Sequence, residues 1–246
     1  MFSIFKSKPA PIPPDLSWLH TDMHSHLVPA IDDGVDSVEG SLVLIRGLMA
    51  LGYKKIITTP HILWEMYPNT PDNINGGWAS VKESVAEEGL DIELHAAAEY
   101  FIDEHFVQEL KNKTPLLTLK DKLVLVEISM VTAPFDLNEV IFEMQIQNYQ
   151  PVIAHPERYI YLRNKKPFFD ELRNSGCLFA LNLLSLTGHY GASVQELAEY
   201  LLKKGYYDYA GTDMHNERHL DALQKLGASP SFARLQNSPL IKNHLL

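Results

Sequence analysis

Seven short runs rich in β-branched and apolar residues recur along the chain, most of them separated by a helical pattern, and that alternation leaves few folds open. The runs are Leu19 to His24, Lys55 to Thr59, Ile92 to Ala98, Leu123 to Glu127, Pro151 to Ala154, Leu178 to Leu183 and Tyr207 to Gly211. Between them, Ser37 is placed to cap a helix with an apolar face of Val38, Leu42, Ile45 and Met49, and Gly52 to stop it. Further helices are predicted over Trp78 to Glu88, Leu137 to Asn148, Lys166 to Asn174 and Ser193 to Lys204, with broken helical pieces after Glu217. Glycines 89, 176 and 205 follow helical stretches just ahead of strands, as a βα repeat requires. Seven such units in 246 residues suit a single parallel α/β barrel, with an open doubly wound sheet as the alternative. No G-x-G-x-x-G follows the first run, so a dinucleotide fingerprint is missing.

Residues 1 to 17 stand apart as a Pro-rich arm ahead of a unit spanning 18 to 246. Phe2, Ile4, Phe5, Lys6 and Lys8 can touch an anionic membrane, but the arm is too short to anchor alone and lacks a secretory apolar core. No apolar run reaches membrane-spanning length, so no stable membrane insertion is expected. Cys177 is the single cysteine, which fits a reducing, cytoplasmic setting. The chain carries 31 Asp plus Glu against 21 Lys plus Arg, a net charge of −10, and would repel a nucleic-acid backbone.

Six of the seven runs end in side chains that can bind metal. The first leads into Asp22-Met-His24-Ser-His26, where residues two apart share a face and Asp22 is placed to orient an imidazole from behind. Asp33 follows in an Asp-Asp-Gly turn, and Thr-Thr-Pro-His61 closes the second run. Glu99 ends the third after three alanines, and Glu127 ends Leu-Val-Leu-Val-Glu. His155 opens His-Pro-Glu-Arg, and Asp213-Met-His215 follows the last run. One buried His or Glu is more often a satisfied core residue than a ligand. Six at six strand exits point instead to ligands gathered on one face of a barrel. Nine ligands (His24, His26, Asp33, His61, Glu99, Glu127, His155, Asp213, His215) exceed one ion and suit two to three divalent ions. Mixed imidazole and carboxylate donors favour Mn, Fe or Zn. Such a centre makes hydroxide at neutral pH and clamps the attacking and leaving oxygens of a hydrolysis.

Arg158 and Arg218 each lie three residues past a ligand histidine, placing a guanidinium near the metals for phosphate oxygens. Alternatively, Arg158 forms a salt bridge with Glu157 or another carboxylate, and Arg218 lies in a polar helix start. Cys177 begins a buried strand, and Leu183 stands where a cysteine phosphatase needs arginine, so a thiol nucleophile is excluded. Of the histidines outside the motifs, His219 stands out by its closeness to His215. The longest irregular stretch, Ile62 to Gly77, leaves from the metal face with Trp64, Met66 and Tyr67 as a prospective pocket wall.

In combination, DMHSHLVPAIDDG, T-P-H, LVEIS, PVIAHPERY and TDMHN resemble the polymerase and histidinol phosphatase (PHP) superfamily. More narrowly, they resemble the bacterial metal-dependent tyrosine-protein phosphatases of capsule and exopolysaccharide loci. The resemblance runs from about His20 to the C-terminus. It implies a distorted (β/α)7 barrel and a trinuclear site, often manganese or iron. It also implies action on the phosphotyrosine tail of a partner tyrosine kinase that controls polysaccharide export. The family's ligands fall on the nine positions above and its phosphate-binding arginine on Arg158. Its second arginine follows the D-x-H by a longer spacing than that of Arg218. The expected chemistry is in-line attack of a metal-bridging hydroxide on phosphotyrosine, without a phospho-enzyme. Rival readings are a small-molecule phosphatase of the histidinol-phosphate type and a metal-dependent nuclease. The missing Lys/Arg stripe argues against the nuclease.

Overall fold

All seven expected runs form strands, and among the described residues every strand pairing is parallel and joins one run, or its continuation, to the next. The computed structural model describes residues 13–246, so Phe2 to Lys8 of the arm lie outside the described residues. The first run contracts to β1 (Thr21–Asp22), because Ser17–Leu19 winds into a 3-10 turn. The second and third runs form β2 (Lys55–Thr58) and β4 (Glu93–Ala96), and beyond each, past a kink, the chain adds a short strand that was not expected, β3 (His61–Ile62) and β5 (Glu99–Phe101). The others are β6 (Leu123–Glu127), β7 (Gln150–Ala154), β8 (Leu178–Asn182) and β9 (Tyr209–Gly211). Hydrogen bonds from Ala97 N to Thr58 O (2.8 Å) and Glu99 N to Pro60 O (3.1 Å) carry the sheet across the kinks. The result is two parallel sheets, β1-β2-β4 and β3-β5-β6-β7-β8-β9, which those bonds run together into one curl. At its two ends an isolated parallel bridge joins Ser25 to Met214.

Helices cover the outside of the curl. Ser37 caps α1 (Val38–Ala50) by accepting from Gly40 N at 3.1 Å, and Gly52 follows with φ 104°. Then come α2 (Pro71–Glu87), α3 (Glu104–Asn112), α4 (Leu137–Ile146), α5 (Pro167–Asn174), α6 (Ala192–Lys204), α7 (Glu217–Leu223) and α8 (Pro230–Gln236). Strand residues alternate between two cores, as a period of two demands. Ile56 and Ile153 face the helices, while Ile57, Val152, Ala154 and Ala180 fill the inside of the curl.

Two expectations need correction. Helix α2 begins seven residues before Trp78, so Pro71 to Gly77 is helical and not part of an irregular loop. Thr70 and Asn73 form a reciprocal cap, Pro71 occupies the first turn, and Ile74, Trp78, Val81 and Val85 make one buried stripe. That stripe outweighs the helix-breaking tendency of Gly76 and Gly77. Helix α3 was not expected, yet Asp103 caps it by accepting from Phe106 N (2.8 Å), and Phe106 and Leu110 are buried.

Candidate active site at the strand ends

All nine strand-end residues converge. They fall into four overlapping groups: His26, Asp33, His61 and His215; His24, His26 and Asp213; His24, Glu99 and His155; and His61, Glu99 and Glu127. Within each group the potential ligand atoms lie within 4.8 Å of one another. Above them opens a cavity of about 370 Å³ whose lining includes Asp33, His61, Glu127, His155, Asp213 and His215. His24, His26 and Glu99 lie beneath, fully buried or nearly so.

The sheet sets this geometry through local departures from regularity. The kinks after β2 and β4 deliver His61 and Glu99 side by side, paired in register. His155 and Asp213 take left-handed backbone, with φ 31° and 50°. Non-glycine residues occupy that region at a cost of roughly 1–3 kcal/mol, and such strain gathers at functional sites. Gly34 packs against the backbone and Cβ of His26, so a side chain there would displace the Asp-Asp-Gly turn.

Glu99 is the hub. Its Oε2 faces His24 Nε2 at 3.2 Å, His61 Nδ1 at 3.2 Å and His26 Nε2 at 3.5 Å, while Oε1 faces His155 Nε2 at 3.0 Å. Glu99 Oε2 and His61 Nδ1 are buried without a well-formed hydrogen bond. Buried polar atoms rarely go unpartnered, and lone pairs converging without protons between them are what a cation-binding set presents. The floor attracts positive charge: against burial, Glu99 and Asp213 raise the pKa of His24, and Asp32 raises that of His26. Burial raises the Glu127 pKa well above the usual carboxylate range, and the charge of Glu99 adds to it. Burial opposes ionisation of Glu99 as well, but the imidazoles that face it, His24 foremost, prevail and hold its pKa well below that range. His61 is pushed down to about 4, chiefly by burial, which favours the neutral imidazole.

Asp213 has two faces. Its Oδ2 accepts from Arg158 Nη1 (2.8 Å) and Asn182 Nδ2 (2.7 Å). Its Oδ1 faces His24 and His26 Nε2, both at 3.4 Å. Arg158 sits on a 3-10 turn, Pro156–Arg158, with its guanidinium 4.6 Å over the Tyr190 ring, and lines the cavity. It does not pair with Glu157, which is buried and accepts from Asn182 N, Ser185 Oγ and Tyr207 OH.

Other sequence expectations are redistributed. Arg218 is exposed in the first turn of α7 and does not line the cavity; His219, one residue on, does. Asp22 orients no imidazole: its carboxylate takes Thr212 N and Oγ1. The carboxylate behind an imidazole is Asp32, at 2.8 Å from His26 Nδ1, and it also accepts from His61 N at 3.0 Å. Trp64 stacks on His105 at 3.8 Å and Tyr67 on His61 at 5.7 Å, and neither they nor Met66 line the cavity. Its walls are Leu63, Met130 and Tyr190. Asn182 was legible as the polar end of the one run without an assigned ligand. Asp32 was equally legible as the neighbour of Asp33. Met130 and Tyr190 carry no sequence signal. Cys177 is buried, with its thiol pushed up to about 12 by burial, so it is no nucleophile.

Residues 20–224 match the family model of capsular polysaccharide synthesis proteins CpsB/CapC. The tyrosine-protein phosphatase YwqE of Bacillus subtilis is 28% identical over 196 residues, covering 79% of this chain and 77% of the relative. The tyrosine-protein phosphatase CpsB of Streptococcus agalactiae is 28% identical over 200 residues, covering 79% and 82%. A solved chain from work on YwqE of Bacillus subtilis and CpsB of Streptococcus pneumoniae, described as metal-dependent tyrosine phosphatases, superposes with a TM-score of 0.78. It is 25% identical and the match covers 88% of this chain and 89% of that one.

Proposed function

The chain belongs to the CpsB/CapC family of capsular polysaccharide synthesis, and from that premise we propose that it is a metal-dependent protein-tyrosine phosphatase. Its substrate is the phosphotyrosine tail of a partner bacterial tyrosine kinase, met in the cytoplasm. The observation that carries this reading is the convergence of nine imidazoles and carboxylates, six of which line one cavity together with one arginine. We take residues 18–246 as the phosphatase unit and the curled sheet as a distorted (β/α)7 barrel of the PHP type. The Ser25–Met214 bridge between its ends supports that reading.

His24, His26, Asp33, His61, Glu99, Glu127, His155, Asp213 and His215 are the residues that would hold the metals. The donors fit: they mix nitrogen and oxygen, include no thiolate, and leave Glu99 Oε2 orphaned. Two to three divalent ions, manganese first and iron or zinc next, supply activated water at neutral pH and positive charge when bound. Arg158 spends one N–H group on Asp213, which fixes its plane and leaves the rest of the fork for phosphate oxygens. Transition-state charge is spread over those oxygens, and a guanidinium already fixed in place meets it without reorganisation. Tyr190, Met130 and Leu63 form an apolar wall that suits a phenyl ring. Phenolate is a comparatively good leaving group, so no strong general acid is required.

Metal analysis of protein purified without chelator, combined with one assay on phosphotyrosine peptide, histidinol phosphate and single-stranded DNA in manganese, tests the proposal. More than one metal per chain and preference for phosphotyrosine are expected. A maximum of one metal per chain rejects the multinuclear centre, and faster turnover of histidinol phosphate moves the chain to the small-molecule phosphatases.

A further inference from the structure

Side chains, not a backbone ladder, fill the lower seam between the first and last strands. Among the described residues β1 pairs in a ladder only with β2, and β9 only with β8. At the level of Thr21 and Ala210 the gap is occupied by the amide of Asn243, fully buried. Its Nδ2 donates to Thr21 O (2.9 Å) and Ala210 O (2.6 Å), and its Oδ1 accepts from Ala210 N (2.9 Å). One step higher, the Asp22 carboxylate accepts from Thr212 N (2.9 Å) and Thr212 Oγ1 (2.8 Å). Only above that does backbone meet backbone, through Asp213 N to His24 O and His26 N to Met214 O, both 2.8 Å. The approach is close. A Cβ on Gly211 would lie 2.5 Å from the Cβ of His24.

The two strands stitched in this way lead directly into His24, His26, Asp213 and His215. We infer that Asn243 is a positioning residue for the metal site, with its amide setting the spacing between the first and last strands and hence between their ligands. The inference rests on the metal reading above. Asn243 is itself held in place. Lys242 N donates to Asp208 O (2.8 Å), and Leu246 packs with Met23 and Tyr209 inside the curl. All of these C-terminal residues lie beyond residue 224, where the family match ends. A side-chain amide can mimic a strand neighbour because it offers donors and an acceptor together. Without it, buried donors and acceptors on both strands lose their partners, and the strands must shift to recover them. Ligand sets tolerate only about 0.5 Å of such movement.

The test compares wild type, Asn243→Ala and Asn243→Ser by manganese affinity, the visible spectrum of the cobalt-loaded protein, kcat and thermal unfolding. Metal affinity is expected to fall by about 10- to 100-fold, the scale of lost support behind ligands. The cobalt spectrum should change, and excess metal should restore part of the activity. Amide exchange at Ala210 in the wild type needs no variant and should slow when metal binds, because coupling between two sites is reciprocal. A folded variant with lowered unfolding temperature but wild-type affinity and spectrum makes Asn243 a stabilising residue only and overturns the inference. Ala210 exchange indifferent to metal does the same. A wild type that binds no divalent metal overturns the metal reading, and this inference with it.

Discussion

Glu99 and Asp33 offer the same carboxylate chemistry to neighbouring histidines, yet the Glu99 side chain is 0% exposed and that of Asp33 53%. The difference runs through the whole site. Its floor (His24, His26, Glu99 and Asp213) is held by strand register, by the seam and by buried hydrogen bonds. Its rim (Asp33, Leu63, Met130, Tyr190 and His219) is supplied by turns, loops and a short helix. A preorganised floor loses its function when one member changes, because the others cannot move to compensate. A rim in contact with water can relax.

The sharpest test of that contrast is Glu99→Gln against Asp33→Asn. Glu99→Gln should lower turnover by about 10³-fold or more, the upper end for a preorganised charge, and shed metal. Asp33→Asn should lose only about tenfold, within the range for weakened support at a metal site. Elemental analysis and rates at several manganese concentrations decide it. Equal losses would erase the distinction between floor and rim.

Arg158 straddles the two. Arg158→Ala should reduce kcat by roughly 10²- to 10³-fold while keeping its metal, and Arg158→Lys should recover little, since an ammonium cannot imitate the fork. If Arg158→Ala instead lost metal, the chief role of the arginine would be to hold Asp213. Next in size is Asp32→Asn. It removes the carboxylate behind His26 and should weaken metal binding by about 10- to 100-fold without changing substrate preference. A calorimetric metal titration matching wild type would demote Asp32 to a turn residue.

The smallest effects belong to residues outside both regions. Trp64→Ala should leave the preference for phosphotyrosine intact, because its ring stacks on His105 and not in the cavity. Cys177→Ser should keep its activity and lose roughly 1–3 kcal/mol of stability, as a hydroxyl replaces a thiol in a buried site. Turnover and thermal unfolding measured on the same preparations separate the two variants. A dead but folded Cys177→Ser enzyme would falsify the thiol-free chemistry.

The floor was legible in the sequence because strands display their ends. Each apolar run stops at a polar residue, and a parallel sheet brings like ends together. Patterning alone therefore yielded all nine converging residues, α1 from its Ser37 cap, and the burial of Cys177. Asn182 and Asp32 obeyed the same rules and were passed over, one because its run held no histidine and the other because its neighbour Asp33 drew the assignment.

The rim was illegible for a different reason. Met130, Tyr190 and Leu63 come from three connections whose paths depend on how helices pack, and no local pattern says which side chain turns inward. Arg218 and His219 are adjacent, yet only the pitch of α7 presents His219 to the cavity and Arg218 to water. Asp22 and Asn243, 221 positions apart in the numbering, become parts of one seam only when the sheet curls. The sequence by itself determined the seven strand runs, their parallel character and the identity of the clustered side chains, because periodicity and strand ends are local properties. Only the tertiary structure decided which carboxylate backs which imidazole, which residues wall the cavity and what closes the seam. Those contacts depend on backbone directions, including the left-handed turns at His155 and Asp213, that packing sets and spacing does not encode.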